Sequence, residues 1–348
     1  MIFPDLYLVV MAGGSGTRFW PKSTSRKPKQ FLSFEKDKKE TLFVKTLKRF
    51  VSIVPQENQL VITTEKLMAQ VCYQAQCVKL LVEPQGRNTA PCIFWAAKEV
   101  QKLNPNGVIL VVPSDHMVLD LDAFQKTILK ACEWARKNDD LITLGVKPTG
   151  PETGYGYLKL GKNITESCQL VEAFVEKPNL KTAKEFLKSG NYLWNGGMFV
   201  WRVDVILSAF QQFMPEMEKA WVQAHGNVEK AYPNMVAISI DYGIMEKAKN
   251  VVTFTLDCGW DDLGSWVSVE SLAETLSVGE NSVLSGQIIS MASKGNIIDV
   301  PKKLVALLGV SDLIIADYGG VLLVAHKSQA QDIKRLVEET KKTHPELV

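Results

Sequence analysis

The residues best suited to chemistry begin at position 12, where the chain reads AGGSGTR. Gly13, Gly14 and Gly16 let a backbone approach an anion closely and turn its amide N–H groups toward it. Thr17 and Arg18 complete the loop, and Lys29 follows within RFWPKSTSRKPKQF. Residues 18–49 hold eleven Lys or Arg against three Asp or Glu. A guanidinium fork and an ammonium suit a polyphosphate, so Arg18 and Lys29 are assigned to one. Pro21 and Pro28 stiffen the segment and fix where Lys29 points. Lys36, Lys38, Lys39, Lys45 and Lys48 read as a solvated face. The loop is not a Walker A sequence, because Arg18 stands where GxxxxGK[ST] would end. It is not GxGxxG either, because the third glycine would fall at Phe19, and this disfavours a Rossmann oxidoreductase.

Asp115 lies in Pro113-Ser114-Asp115-His116, directly after the run VILVV. An Asp at a strand end is more often a helix cap or turn residue, but in an α/β enzyme the same place can hold Mg²⁺, which takes hard oxygen ligands, commonly one or two carboxylates plus substrate phosphates. His116 reads as structural. Glu176-Lys177-Pro178 closes an apolar run and sets an acidic and a basic side chain side by side at its end. The ordinary reading of that pair is an inert exposed ion pair. The aromatics Trp194, Phe199 and Trp201 read as core packing.

These groups need elements to hold them. Leu6–Met11, Leu60–Thr63, Val78–Val82, Val108–Val112 and Leu141–Gly145 read as short buried strands. Helical patterns fall at 41–50, 90–103 and 123–137, the last with Phe124, Ile128, Ala131, Cys132 and Ala135 on one side. Such alternation predicts βαβ units with right-handed crossovers. The fold class is α/β, a Rossmann-like mixed, mostly parallel sheet flanked by helices, with ligands beyond the carboxyl ends of the strands. Gly154-Tyr155-Gly156-Tyr157 marks a turn, 174–176 a short strand and 181–188 a helix. Asp204 is the expected N-cap of a helix over 205–213, and Val251–Leu256 alternates as a strand. From about 275 the strands shorten: 283–289, 296–299, 304–308, 313–316 and 321–325, with a helix at 329–341. This texture suggests a small C-terminal β-rich domain, an abbreviated left-handed β-helix being the candidate form, although no hexapeptide period runs through it. The expected division is a catalytic domain over 1–273 and the β-rich domain over 274–348.

The chain has 348 residues, 46% hydrophobic and 22% charged, as a folded protein of about two domains would. Its net charge of +2 argues against a nucleic-acid binder. No apolar run reaches the roughly 18 residues a membrane span needs. The N-terminal MIFPDLYLVVMAGG lacks a basic n-region, so it reads as a first core strand and not a signal peptide. The cysteines at 72, 77, 92, 132, 168 and 258 form no CxxC pair and read as buried, reduced thiols of a cytoplasmic protein. With four dispersed histidines, they also argue against structural zinc.

GGSGTRFWP followed by PKQF resembles the signature of the sugar-phosphate nucleotidylyltransferases, GxGTRxxP and then PK. The PKQF ending is similar to the mannose-1-phosphate guanylyltransferase branch. EPQGRNTAP, PSDH, TGYGY, FVEKP, WNGGMF, SIDYGIMEK and GWDDLGSW follow in the order of that branch, over about residues 6–270. The chain departs from it at Thr24, where Arg is frequent, at Gly196, where Ser is, and at Asp261, where a small polar residue is. The resemblance implies the nucleotide-diphospho-sugar transferase type of fold. It implies transfer of GMP from GTP to α-D-mannose 1-phosphate, giving GDP-mannose and pyrophosphate, in a cytoplasmic enzyme. It assigns Mg²⁺ to Asp115 and Asp262, the latter by alignment with G-W-x-D-x-G-S-W. It assigns the sugar to Gly154, Glu176, Lys177 and Asn195, and brings Glu83, Gly86 and Asn88 toward the purine. Arg18, Lys29 and Lys177 would carry catalysis. Partners would be the two substrates, with no nucleic acid, no membrane and a homodimer. No appended cupin-type isomerase domain follows, so no mannose-6-phosphate isomerase activity is expected. The alternatives are another sugar-1-phosphate nucleotidylyltransferase with a different base or sugar, and a non-catalytic GDP-sugar-sensing paralogue.

Overall fold

A computed structural model describes residues 2–14, 16–34, 40–76, 78–271, 276–278 and 280–348. Lys36, Lys38, Lys39, Cys77 and the expected boundary at 273/274 lie outside the described residues. The chain forms two compact units. One comprises Met1–Gly13, Leu47–Ser114 and Val118–Trp260, the other Gly14–Thr46, Asp115–Met117 and Asp261–Val348.

The first unit is built on strands β1 (Leu6–Met11), β2 (Gln59–Thr64), β3 (Lys79–Glu83), β4 (Val108–Pro113), β5 (Leu141–Val146), β6 (Tyr157–Asn163), β7 (Cys168–Val175), β8 (Tyr192–Arg202) and β9 (Val251–Leu256). They form one mixed sheet in the order β3-β2-β1-β4-β8-β5-β9-β7-β6. The β3-β2-β1-β4 half is parallel, as is β5 with β9. β8 runs antiparallel to β4 and β5. Chain order reverses around β1, the kind of switch point whose carboxyl ends hold ligands in open α/β sheets. Gly13 and Ser114 follow β1 and β4 there, and Ser114 N donates to Met11 O at 3.1 Å.

Helices follow the strands: α1 (Leu42–Lys48), α2 (Glu65–Gln74), α3 (Thr89–Leu103), α4 (Leu121–Ala135), α5 (Leu180–Ser189), α6 (Val203–Phe213), α7 (Pro215–Gln223) and α8 (Val228–Ala231). α3 buries Ala90, Ile93, Phe94, Ala97 and Val100, and Phe94 meets Phe210 of α6 edge-on at 5.1 Å between ring centres. Each such aromatic contributes about 1.5–3 kcal/mol by leaving water. Asp204 is not the cap of α6. The helix starts at Val203, and the Asp204 carboxylate is held by the Arg202 guanidinium at 2.7 Å. Trp194, Phe199 and Trp201 are buried. Cys92, Cys132, Cys168 and Cys258 are buried too, but Cys72 is exposed on α2, because the core side of that helix is taken by Leu67 and Val71.

The second unit carries β10 (Leu276–Val278), β11 (Asn281–Met291), β12 (Ile297–Leu308), β13 (Leu313–Tyr318) and β14 (Val321–His326), then α9 (Ile333–Thr343). The strands form one sheet, parallel from β11 through β13. A buried amide ladder holds the stack: Asn296 Nδ2 donates to Asn281 Oδ1 at 2.8 Å, and Leu313 N donates to Asn296 Oδ1 at 2.9 Å. The readings 296–299 and 304–308 are one strand, β12. Ile297, Ile314, Leu323, Ile333 and Val337 pack with Phe19, Trp20 and Trp266. No helix among the described residues is long and apolar enough to cross a membrane.

Candidate active site

In the second unit the glycine loop, Asp115 and the acidic turn converge. Gly16 sits at φ 50°, where a side chain is strained, and a Cβ there would fall on the Lys29 backbone nitrogen, with Lys29 Cβ at 2.8 Å. Only glycine lets Lys29 pass so close. The Lys29 side chain is buried, and its ammonium reaches Asp115 Oδ2 at 2.8 Å. The same Nζ donates to the Asp262 carbonyl and to the Leu263 carbonyl, the latter at 3.3 Å. Those partners occupy all three ammonium hydrogens. Burial works against the Asp115 charge, but the Lys29 ammonium and then His116 outweigh it and hold the carboxyl below the usual range.

The turn beside Asp115 is fixed by a two-way backbone bridge, Met117 N to Asp261 O at 2.8 Å and Asp261 N to Met117 O at 3.2 Å. Asp261 Oδ1 accepts from Leu263 N at 2.6 Å, so this carboxylate closes its own turn. Gly264 leaves room for the Asp262 carboxylate, which a Cβ there would meet at 2.9 Å. Gly16, Thr17, Arg18, Lys29, Asp115, Leu263, Gly264 and Lys334 line one cavity of about 270 Å³. Lys334, on α9, has no motif in the sequence to single it out. Lys22 is turned elsewhere. It pairs at 2.7 Å with buried Asp299, which also accepts from Tyr318 at 2.7 Å.

In the first unit Glu83 ends β3, is buried and accepts from the Tyr232 hydroxyl. Burial pushes the Glu83 carboxyl up, partly offset by that bond. A Cβ at Gly13 would lie 3.0 Å from Glu83 Oε2, so the bare glycine leaves this carboxylate its space. Asn88, at φ 67°, caps α3 by accepting from Thr89 N at 2.9 Å. At Gly14, Gly86 and Gly154 an added Cβ would meet nothing within 4 Å.

A second polar group surrounds Asn195 on β8. Its Oδ1 accepts from Thr143 Oγ1 at 2.8 Å and from Gly197 N at 3.2 Å, and its Nδ2 donates to Asp241 Oδ1 at 2.9 Å. The backbone just before Asp241 is anchored to the start of α3, where Ala90 N donates to Ile238 O and Ile240 N donates to Thr89 Oγ1. Burial, reinforced by the Glu176 carboxylate, pushes the Asp241 carboxyl up to about 6. Glu176 pairs with Lys177 through Oε1, while its buried Oε2 has no hydrogen-bond partner. A buried acceptor left open costs free energy unless something completes it, and a ligand hydroxyl could do so. Sequence reading named Glu176, Lys177 and Asn195 here but missed Asp241, although SIDYGIMEK was in view.

A Rossmann-like mixed sheet and a cationic, glycine-edged cavity holding a carboxylate define an α/β protein built to handle nucleotides. The chain belongs to the nucleotidyl transferase family, whose model matches residues 7–277. Residues 286–340 match the MannoseP isomerase/GMP-like beta-helix domain. The chain is 35% identical over 353 residues to the mannose-1-phosphate guanylyltransferase RfbM of Salmonella typhimurium strain LT2, covering 96% of this chain and 72% of that one. It is 35% identical over 358 residues to the mannose-1-phosphate guanylyltransferase of Escherichia coli strain K12, covering 97% and 73%. Among solved structures, one from Thermus thermophilus, described as a mannose-1-phosphate geranyltransferase, superposes with a TM-score of 0.90 at 34% identity, over 97% of this chain and 99% of that one.

Proposed function

We propose that this chain transfers GMP from GTP to α-D-mannose 1-phosphate, releasing GDP-mannose and pyrophosphate. The observation that carries the reading is the Lys29 ammonium, which joins the Asp115 carboxylate to the 262–263 carbonyls in a cavity edged by Gly16 and Arg18. The names of relatives aligned over nearly the whole chain support the choice of sugar and base.

The nucleophile is a sugar-phosphate oxygen that is already ionised, so no general base is required. What the reaction needs is alignment and charge neutralisation at the α-phosphorus. The glycine loop with Thr17 and Arg18 holds the triphosphate, and Lys29 keeps Asp115 ionised and aimed. Glu83 offers a buried acceptor for the donor edge of guanine, with Gly86 and Asn88 beside it in the chain. Asn195 and Glu176 read sugar hydroxyls, Gly154 lets the backbone approach the ring, and Lys177 steers the sugar phosphate.

The donor set fits Mg²⁺. Among the described residues no three His, Cys, Asp or Glu side chains are grouped to cage a metal, and Mg²⁺ habitually takes few carboxylates and completes its shell with phosphates and water. Asp115 and Asp262 would hold it, with Asp261 committed to its own turn. When bound, the ion would neutralise charge on the phosphates in the transition state. The working division remains a catalytic segment over 1–273 and a β-rich segment over 274–348, in a cytoplasmic homodimer.

Pyrophosphate-release kinetics across GTP, ATP, UTP and dTTP, each with a panel of hexose 1-phosphates, test the proposal. The expected result is the highest kcat/KM for GTP with mannose 1-phosphate. Preference for another pair would reassign base or sugar, and nucleotide-sugar binding without pyrophosphate release would mark a non-catalytic binder.

A further inference from the structure

We infer that Lys334, on the C-terminal helix, is a phosphate-binding residue that grips the β- and γ-phosphates of the nucleotide. The inference rests on reading the cavity as a triphosphate site and adds a residue to it from the far end of the chain.

Charge accounting comes first. A nucleoside triphosphate brings several negative charges into a cavity whose sequence-named cations are Arg18 and Lys29. Lys29 shares its charge with the Asp115 carboxylate and two carbonyls, so it adds less net positive charge than an unpaired ammonium would. Lys22 is likewise committed to Asp299. Arg18 touches the Gly264 carbonyl only at 3.4 Å and retains most of its fork for a ligand. Against a triphosphate, Arg18, Lys29 and the proposed Mg²⁺, whose own ligands Asp115 and Asp262 are negative, leave room for a further cation among the described residues. Lys334 supplies it, since its side chain lines the same cavity.

Position comes second. Ile333 and Val337 are buried against the core that contains Phe19 and Trp20. Phe19 and Trp20 directly follow Arg18 in the chain, and Phe19 is fully buried. The packing that seats α9 therefore also seats Arg18, and it presents Lys334 to the same cavity. Lys334 itself is exposed. A flexible lysine stem can close on an incoming phosphate and release it with pyrophosphate, as a rigid buried cation could not. The β-rich C-terminal segment thus contributes to substrate binding as well as to packing.

The test measures binding of inorganic tripolyphosphate and pyrophosphate by calorimetry, and steady-state kinetics, for the full-length wild type, Lys334→Ala, Lys334→Arg and Lys341→Ala. Lys341 lies on the same helix and does not line the cavity. Lys334→Ala should weaken tripolyphosphate binding and raise KM for GTP by about tenfold, the scale of one charge-assisted hydrogen bond, with KM for mannose 1-phosphate moving less than about twofold. Lys334→Arg should restore most of the affinity, and Lys341→Ala should match wild type. Unchanged tripolyphosphate affinity in Lys334→Ala, or an equal loss in Lys341→Ala, would overturn the assignment. If the wild type binds tripolyphosphate but releases no pyrophosphate from GTP and mannose 1-phosphate, the proposed reaction fails while the binding readout for Lys334 still decides this point.

Discussion

The Asn195 side-chain nitrogen donates to Asp241 Oδ1 at 2.9 Å, joining WNGGMF on β8 to the SIDYGIMEK segment tied to α3. The bond uses one Asn195 amide hydrogen and fixes the direction of the other. The Asp241 carboxyl is raised from 3.8 to about 6. A carboxyl raised by folding contributes stability that is complete below its unfolded value and is lost as pH climbs through the folded value. Asp241→Asn keeps an acceptor for Asn195 and removes the titration. Urea unfolding should find the variant equal or less stable near pH 4, then gaining on wild type up to about pH 6 by on the order of 1–3 kcal/mol, and level above that. A difference that stays flat from pH 4 to 7 would refute the assigned cause.

Gly16 and Gly14 give a matched pair of tests. Gly16→Ala places a Cβ on the Lys29 backbone at a positive φ, whereas a Cβ at Gly14 meets nothing within 4 Å. Gly16→Ala should cost about 1–3 kcal/mol and raise KM for GTP, because Lys29 and Asp115 move together. Gly14→Ala should change stability by no more than about 0.5 kcal/mol. Thermal unfolding of both variants checks the contrast, and equal losses would contradict the close approach of Lys29.

The two neighbouring aspartates separate by role. Asp115→Ala and Asp262→Ala should each lower kcat by about 10²-fold or more, the scale of losing one transition-state electrostatic stabiliser. Asp261→Ala removes the acceptor for Leu263 N and should show mainly lowered stability. Turnover of the three variants in saturating Mg²⁺, set beside their unfolding midpoints, checks this. Near wild-type kcat in Asp115→Ala would remove its assigned role.

Much of the sheet was legible where its strands are short, apolar and bounded by polar turns: β1 and β9 run over Leu6–Met11 and Val251–Leu256, as the sequence predicts. Of the β6–β7 hairpin only the end of β7 was legible, as the short strand at 174–176, because register shifts at Lys159/Leu160 and Leu160/Asn163 break the alternation that marks a strand. The C-terminal stack escaped a hexapeptide search because Ser282, Ile297 and Ile314 face one another at spacings of 15 and 17 residues. Arg18 and Lys29 were readable from a local motif. Lys334 and Asp241 were not, since their partners come from distant parts of the chain.

Trp266 tests whether the C-terminal core sets the geometry of the glycine loop. Its ring is fully buried, lies 5.4 Å from the Phe19 ring, and its Nε1 donates to the Trp20 carbonyl at 3.2 Å. That carbonyl is two residues from Arg18, and Trp20 also donates to the Leu347 carbonyl at 2.8 Å. Trp266→Phe retains a large ring but leaves the Trp20 carbonyl without this donor, which should cost about 1–3 kcal/mol. Trp266→Ala opens a cavity as well and should cost about 3–5 kcal/mol. If the core sets the loop, Trp266→Phe assayed well below its unfolding midpoint should raise KM for GTP while KM for mannose 1-phosphate holds. A destabilised variant with both constants unchanged would mean that the loop keeps its shape without help from this tryptophan, and that Gly16 with Lys29 suffices to hold it.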